Sequence, residues 1–78
     1  MAQMHPTSLV RRQGREAAVR ACNAIATTLG FDTIPLRASV ADVRGLYHDL
    51  QALAEGPVLT SLQEARAMWE QSGGAPLA

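Results

Sequence analysis

Apolar residues recur every three or four positions along most of the chain, which is the spacing of amphipathic helices. The first such stretch follows the capping residues Thr7 and Ser8 and ends before Gly30, a residue suited to the left-handed backbone just past a helix. It predicts a helix over residues 8–29. Small residues dominate its apolar stripe, which consists of Val10, Gly14, Ala17, Ala21, Ile25 and Leu29, with Ala18, Cys22 and Ala26 beside it.

A second helix is predicted over residues 39–55. Ser39 followed by Asp42 resembles a capping box at its start, and Gly56-Pro57 is a strong stop signal after its end. Its apolar stripe consists of Val40, Val43, Leu46, Tyr47, Leu50, Leu53 and Ala54.

A third helix is predicted over residues 61–72. Ser61 and Glu64 fit a capping box more closely, because the acid is a glutamate. The apolar residues that share one face of this helix are Leu62, Ala65 and Trp69.

The segment between the first two helices, residues 31–38, is unusually apolar for a loop. Pro35 favours extended backbone, both for itself and for the residue before it. Ile34 and Leu36 alternate with polar residues, so two interpretations stay open: an extended crossover that closes one end of a bundle, or a short edge strand. Because helices account for the rest of the pattern, we predict an all-α three-helix bundle.

The predicted fold is one domain over residues 8–72, between disordered ends at residues 1–7 and 73–78. A single core in a chain below about 70–80 residues rarely contributes more than about 3–5 kcal/mol. The alanines of the first helix bury little area, and one cysteine cannot form an intramolecular disulfide. We therefore expect the chain to complete its core by association, most simply as a homodimer.

Residues with catalytic or metal-binding chemistry are few and scattered. Cys22 lies in the middle of the first helix, which predicts a buried apolar role rather than a nucleophile. His48 and its neighbour Asp49 diverge by about 100° on a helix, and no second histidine or cysteine follows three or four residues later. No glycine-rich phosphate-binding loop is present in the sequence. We expect no enzymatic activity, no metal and no cofactor.

The sequence also predicts where the protein resides. No apolar run approaches the roughly 20 residues of a membrane span, so we expect no membrane partner. The single thiol favours a reducing compartment, so we expect a cytoplasmic protein.

A net charge of zero conceals an asymmetry along the chain. All seven cationic residues are arginines. Residues 1–45 hold six of them with three acids, a net charge of +3, whereas residues 46–78 hold one with four acids, a net charge of −3. The basic half is therefore suited to an acidic protein surface or to phosphate, or it pairs with the acidic half of its own chain or of a second copy.

These features favour a small protein–protein interaction module, such as an adaptor, an inhibitor or an assembly subunit. Tryptophan and arginine often dominate the binding energy of protein interfaces. For Trp69 the pattern leaves two roles open, a core residue of the third helix or an exposed anchor. The predicted partner-binding residues are Arg11, Arg12, Arg15, Arg20, Met68 and Trp69.

A second interpretation is DNA binding by a dimer. An extended segment followed by two capped helices over residues 31–72 resembles the ribbon-helix-helix repressors, in which paired strands of a dimer enter the major groove. That resemblance implies that Thr33 and Arg37 contact the bases. Pro35 removes one hydrogen bond of such a ribbon, and only one cation lies on it, so the interaction module is the favoured prediction.

Overall fold

Three helices form the bundle, joined by an extended crossover and a tight turn. The structure, a computed structural model, describes the backbone of residues 6–77 and the side chains of residues 9–77. The helices are α1 (Pro6–Leu29), α2 (Val40–Leu53) and α3 (Gly56–Gln71), and residues 6–77 contain no strand. The predicted all-α three-helix bundle is confirmed.

The first helix begins two residues earlier than predicted, at Pro6. Proline is tolerated in the first turn because amide groups there have no partner within the helix. The rest of the predicted disordered end, residues 1–5, lies outside the described residues. At its other end α1 closes in a Schellman motif, in which Gly30 has a φ of 84° and the amide of Phe31 donates to the carbonyl oxygen of Ala26 (2.8 Å).

The starts of α2 and α3 follow different rules. At α2 the predicted cap is present, since Oγ of Ser39 accepts a hydrogen bond from the amide of Asp42 (3.2 Å). At α3 the predicted capping box is wrong, because Ser61 lies inside a helix that already begins at Gly56. Gly56 has a φ of 56°, which reverses the chain, and Pro57 occupies the first turn of α3. The Gly56-Pro57 pair, predicted only to end the second helix, therefore also begins the third.

The core lies between the helices and is built on small residues of α1. This helix packs more extensively against α3 than against α2. A Cβ added to Gly14 would lie 2.7 Å from the Cβ of Ser72, so glycine is what allows the two backbones to approach this closely. The buried apolar residues of the helices are Ala18, Val19, Cys22, Ile25 and Ala26 of α1, Val43, Leu46, Tyr47 and Leu50 of α2, and Leu62, Ala65 and Trp69 of α3.

Three residues that the apolar pattern assigns to the core are exposed instead. Val10, Val40 and Leu53 retain 66%, 38% and 56% of their accessible surface. Val40 and Leu53 are the first and last residues of α2, and Val10 lies in the second turn of α1. Ala17 and Ala21 of the predicted α1 stripe are only half-buried, so part of that stripe borders the surface.

Asn23 fixes the crossover to α1. Its Nδ2 donates to the carbonyl oxygen of Ile34 (2.8 Å), and its Oδ1 accepts from the amide of the same residue (2.9 Å). Ile34 is half-buried against the core, whereas Leu36 is exposed, so only one of the two alternating residues faces inward. Residues 31–38 are therefore an extended crossover rather than a strand.

Residues 73–77 pack back onto the helices, which differs from the predicted disordered tail. Gly73, with a φ of 82°, turns the chain at the end of α3. Leu77 is then completely buried, and the carbonyl oxygen of Ala75 accepts a hydrogen bond from Nε1 of Trp69 (2.6 Å). A buried indole N–H needs an acceptor, and this segment supplies it.

A second contact holds the same segment to α2. Arg44 donates two hydrogen bonds to the carbonyl oxygen of Pro76, at 2.9 and 3.2 Å. The segment therefore closes one end of the bundle through a buried leucine and through hydrogen bonds to two helices.

We expect Gly74→Ala to destabilise the fold and Gly45→Ala to stabilise it. A Cβ at Gly74 would collide with the ring of Trp69, whereas a Cβ at Gly45, inside α2, would meet open space. Overpacking costs about 1–3 kcal/mol, and replacing an unstrained helical glycine by alanine gains about 0.5–1 kcal/mol. Urea unfolding of the two variants measures both effects. Equal stability of G74A and the wild-type protein would contradict the packing of residues 73–77.

Candidate interaction surfaces

Two separate depressions of the surface contain most of the predicted partner-binding residues. Arg12 and Arg15 line one of them, beside the crossover. Arg11 and Met68 line the other, between α1 and α3. Arg20 is exposed on α1. The bundle therefore does not bring these side chains together into one patch.

The first surface is an apolar groove along the seam of α1 and α3, which we call the α1–α3 groove. Its larger part has a volume of about 460 Å³, and a smaller part of about 280 Å³ adjoins it at Met68, which is 37% exposed. Small residues of α1 form one wall. The lining residues are Ala21, Ala24, Ile25, Thr28, Pro57, Val58, Ser61, Glu64, Ala65 and Met68 in the larger part and Val10, Arg11, Gly14, Gln71 and Ser72 in the smaller part.

The second surface is a concave site of about 340 Å³ beside the crossover, which we call the basic pocket. Three guanidinium groups and one carboxylate line it, together with apolar side chains from the crossover and from the start of α2. The lining residues are Arg12, Arg15, Glu16, Leu36, Arg37, Ala38, Val40 and Trp69. The pocket joins Arg37, predicted to contact DNA, with two of the predicted partner-binding arginines, whereas Thr33 is exposed and does not line it.

The arginines of the basic pocket form no ion pair with the acidic side chains that the structure describes. Among the side chains of residues 9–77, the one ion pair joins Arg66 to Glu70 (3.1 Å) within α3. Pairing between the basic and acidic halves is thus not formed inside the described part of a single molecule. The positive charge at the pocket remains available to a ligand.

Trp69 belongs to the core. It is 4% exposed, and its indole N–H is bonded to the carbonyl oxygen of Ala75. This corrects the prediction of Trp69 as a partner-binding residue: its side chain supports the base of the basic pocket, and the exposed residue of this stretch is its neighbour Met68.

The remaining candidates for chemistry lie apart from both surfaces. Cys22 is buried, and burial raises the pKa of its thiol to about 11, because the thiolate is poorly solvated there. His48 is exposed and lies edge-on to the ring of Tyr47, with ring centroids 5.7 Å apart. In the described part of the chain, no three His, Cys, Asp or Glu side chains come together as a metal site.

Comparisons with protein-family models, curated proteins and solved structures find no match to this chain. None of the helices in the described residues is both long enough and apolar enough to cross a membrane. The fold and the two surfaces are therefore the basis of any functional proposal.

Sequence patterns did not indicate two parts of these surfaces. Val40 is part of the apolar stripe predicted for the second helix, and Leu36 has no predicted role in the crossover, yet both are exposed at the rim of the basic pocket. Asn23, which fixes that rim, is a polar residue of α1 for which the sequence predicted no role. An asparagine opposite an apolar, proline-containing segment is a signal for such a contact, since its amide can pair with a backbone amide and carbonyl together.

The raised pKa of the Cys22 thiol predicts a loss of stability at high pH. The unfolded chain releases this proton near the ordinary pKa of 9.0, whereas the folded chain retains it until about 11. The stabilisation is therefore complete below pH 9 and is lost as the pH rises to 11. Urea unfolding across this range should show a steeper decline for the wild-type protein than for Cys22→Ala. Parallel curves for the two proteins would contradict the burial of the thiol.

Proposed function

We propose that this chain is a helical protein–protein interaction module without catalytic activity, and that it forms a homodimer through the α1–α3 groove. The observation that carries the proposal is the groove itself, an apolar depression between two helices. Amphipathic helices bind in grooves of this kind by burying one apolar face. A cytoplasmic location suits the single, unpaired Cys22.

The shape of the groove favours a helix as its occupant. Ala21 and Ala24 leave little side-chain volume on the α1 wall, so the backbone of a second helix can approach closely. Met68, on the opposite wall, is flexible and partly exposed, and methionine adapts its shape to an apolar partner. A second copy of α1 has small residues at the same spacing, so two copies can interdigitate about a two-fold axis.

Charge on this face is sparse and of both signs. Glu64 is the charged residue in the larger part of the groove. Arg20 is exposed and lies one helical turn before Ala24, on the same face of α1. In a two-fold symmetric dimer, each copy offers the carboxylate of Glu64 and the guanidinium groups of Arg20 and Arg11, so opposite charges can face each other. A surface with one sign of charge would instead repel its own copy.

Exposed apolar side chains at the groove also support association. Met68 and Val10, which line the smaller part, are 37% and 66% exposed. Burying the groove in a dimer would remove apolar surface that the thin, alanine-rich core of one chain leaves exposed.

The crossover supplies no comparable support for DNA binding. A ribbon-helix-helix dimer would need the backbone of residues 31–37 for pairing between two chains. Both backbone groups of Ile34, its amide and its carbonyl, are already bonded to the side chain of Asn23. Ribbon formation would require breaking these two hydrogen bonds, so DNA binding is the weaker proposal.

Analytical ultracentrifugation of the wild-type protein and of two variants, in each of which one alanine is replaced by arginine, tests the homodimer. At about 50 μM, the wild-type protein should sediment with twice the 8.3 kDa mass of one chain. Ala24→Arg places a long charged side chain in the groove and should give a monomer. Ala67→Arg is the matched control, because Ala67 is also an exposed helical alanine but lies outside both surfaces, and it should remain dimeric.

The comparison has clear negative results. A wild-type mass of 8.3 kDa would contradict the homodimer. A dimer that dissociates equally in A24R and A67R would contradict the assignment to the groove. Circular dichroism of each variant checks that the helices are retained.

A further inference from the structure

We propose that the basic pocket is a second binding site, and that it binds an acidic, amphipathic peptide segment of another protein. The ligand would place carboxylates against the three arginines and one apolar side chain against the exposed rim formed by Leu36 and Val40. This site is distinct from the α1–α3 groove and does not depend on dimer formation.

The charge of the pocket selects for an anionic ligand. Arg12, Arg15 and Arg37 supply three positive charges, and Glu16 supplies one negative charge, so the lining is net +2. None of the three arginines forms an ion pair with a described acidic side chain. A guanidinium group presents a planar fork of donors that matches a carboxylate in a bidentate contact. Binding would therefore replace water on these groups rather than break contacts inside the protein.

The apolar rim distinguishes a peptide from a nucleic acid. Leu36 and Val40 are 36% and 38% exposed, and both lie against the same depression as the arginines. Isolated exposed apolar residues are ordinary on protein surfaces, but these two share a concavity with three cations. A phosphate backbone would use the cations and leave the apolar rim in water. A segment with glutamates and a leucine or phenylalanine would use both.

The walls of the pocket are held in place without a ligand. Asn23 fixes the crossover through its two hydrogen bonds to Ile34, and the amide of Ala38 donates to the carbonyl oxygen of Pro35 (3.0 Å). At the base, the indole of Trp69 is held by its hydrogen bond to Ala75. A preformed site loses little conformational entropy on binding, which favours a measurable affinity for a short peptide.

The basic pocket and the larger part of the groove lie on different faces of α1. Arg12 of the basic pocket and Ala21 of the larger part are nine residues apart, which separates their directions by about 180° around the helix. Arg11, in the smaller part, lies one turn from Arg15 of the pocket. A peptide in the pocket and a second copy in the larger part of the groove would therefore not compete for the same face. This arrangement would let a dimer hold two copies of a partner protein.

Fluorescence anisotropy with defined peptides tests the proposal. The probes are a set of fluorescein-labelled peptides, each of twelve residues. Every peptide carries three glutamates and one phenylalanine among alanines and serines, and the spacing of these four residues differs from peptide to peptide. We expect at least one of them to bind with a Kd below about 100 μM, and we expect its affinity to fall as salt is raised. The same peptide with glutamine at the three acidic positions should not bind.

Protein variants then locate the site. Arg15→Gln and Arg37→Gln should each weaken binding about tenfold, and Leu36→Asn about fivefold. Arg66→Gln is the control for loss of one positive charge, since Arg66 lies on α3 outside the pocket. Leu53→Asn is the control for loss of an exposed leucine. Both controls should bind within twofold of the wild-type protein.

Three results would overturn the proposal. The first is no binding by any peptide of the set. The second is binding that R66Q weakens as much as R15Q, since it would show a diffuse charge effect rather than a pocket. The third is binding of a 20-base-pair DNA duplex that L36N leaves unchanged and that excludes the peptide. This titration measures peptide affinity rather than sedimented mass, so it fails or succeeds separately from the homodimer.

Discussion

Close packing of α1 against α3 is the constraint on which the rest of the structure depends. Gly14 meets Ser72 at a distance that a Cβ would not permit, and the buried face of α1 continues with alanines and Cys22. Small residues let the helices approach closely, but they contribute little apolar area. The larger core residues, Tyr47 and Leu50 of α2 and Leu62 of α3, supply what α1 lacks.

Because α1 contributes little apolar area, the segments outside the helices help to complete the core. The crossover closes one side of the bundle through the contact of Asn23 with Ile34, and residues 73–77 cover Trp69 and bury Leu77. Each segment combines an apolar side chain with a hydrogen bond to a helix. The surfaces that remain open follow from the same geometry: the seam beside the small residues of α1 becomes the groove, and the fixed crossover gives the basic pocket its wall.

The helices could be predicted from the sequence because their signals are local. Spacing of apolar residues and the cap at Ser39 depend on residues within one or two turns. The start of α3 could not be predicted in the same way, since a glycine-proline pair ends one helix and begins the next. The packed C-terminal segment needs a distant partner, Trp69. Arg12 and Arg15 were predicted as partner-binding residues, but their grouping with Arg37 depends on how the crossover is fixed.

The central claim is that a second copy covers surface that the thin core of one chain leaves exposed. Its most direct test is whether the stability of the fold depends on association. The measurement is the urea midpoint of unfolding at protein concentrations from about 2 to about 200 μM. If the chain is a dimer that loses stability on dissociation, the midpoint rises with concentration, because mass action favours the associated, folded state. A midpoint that stays constant over this range would contradict the claim.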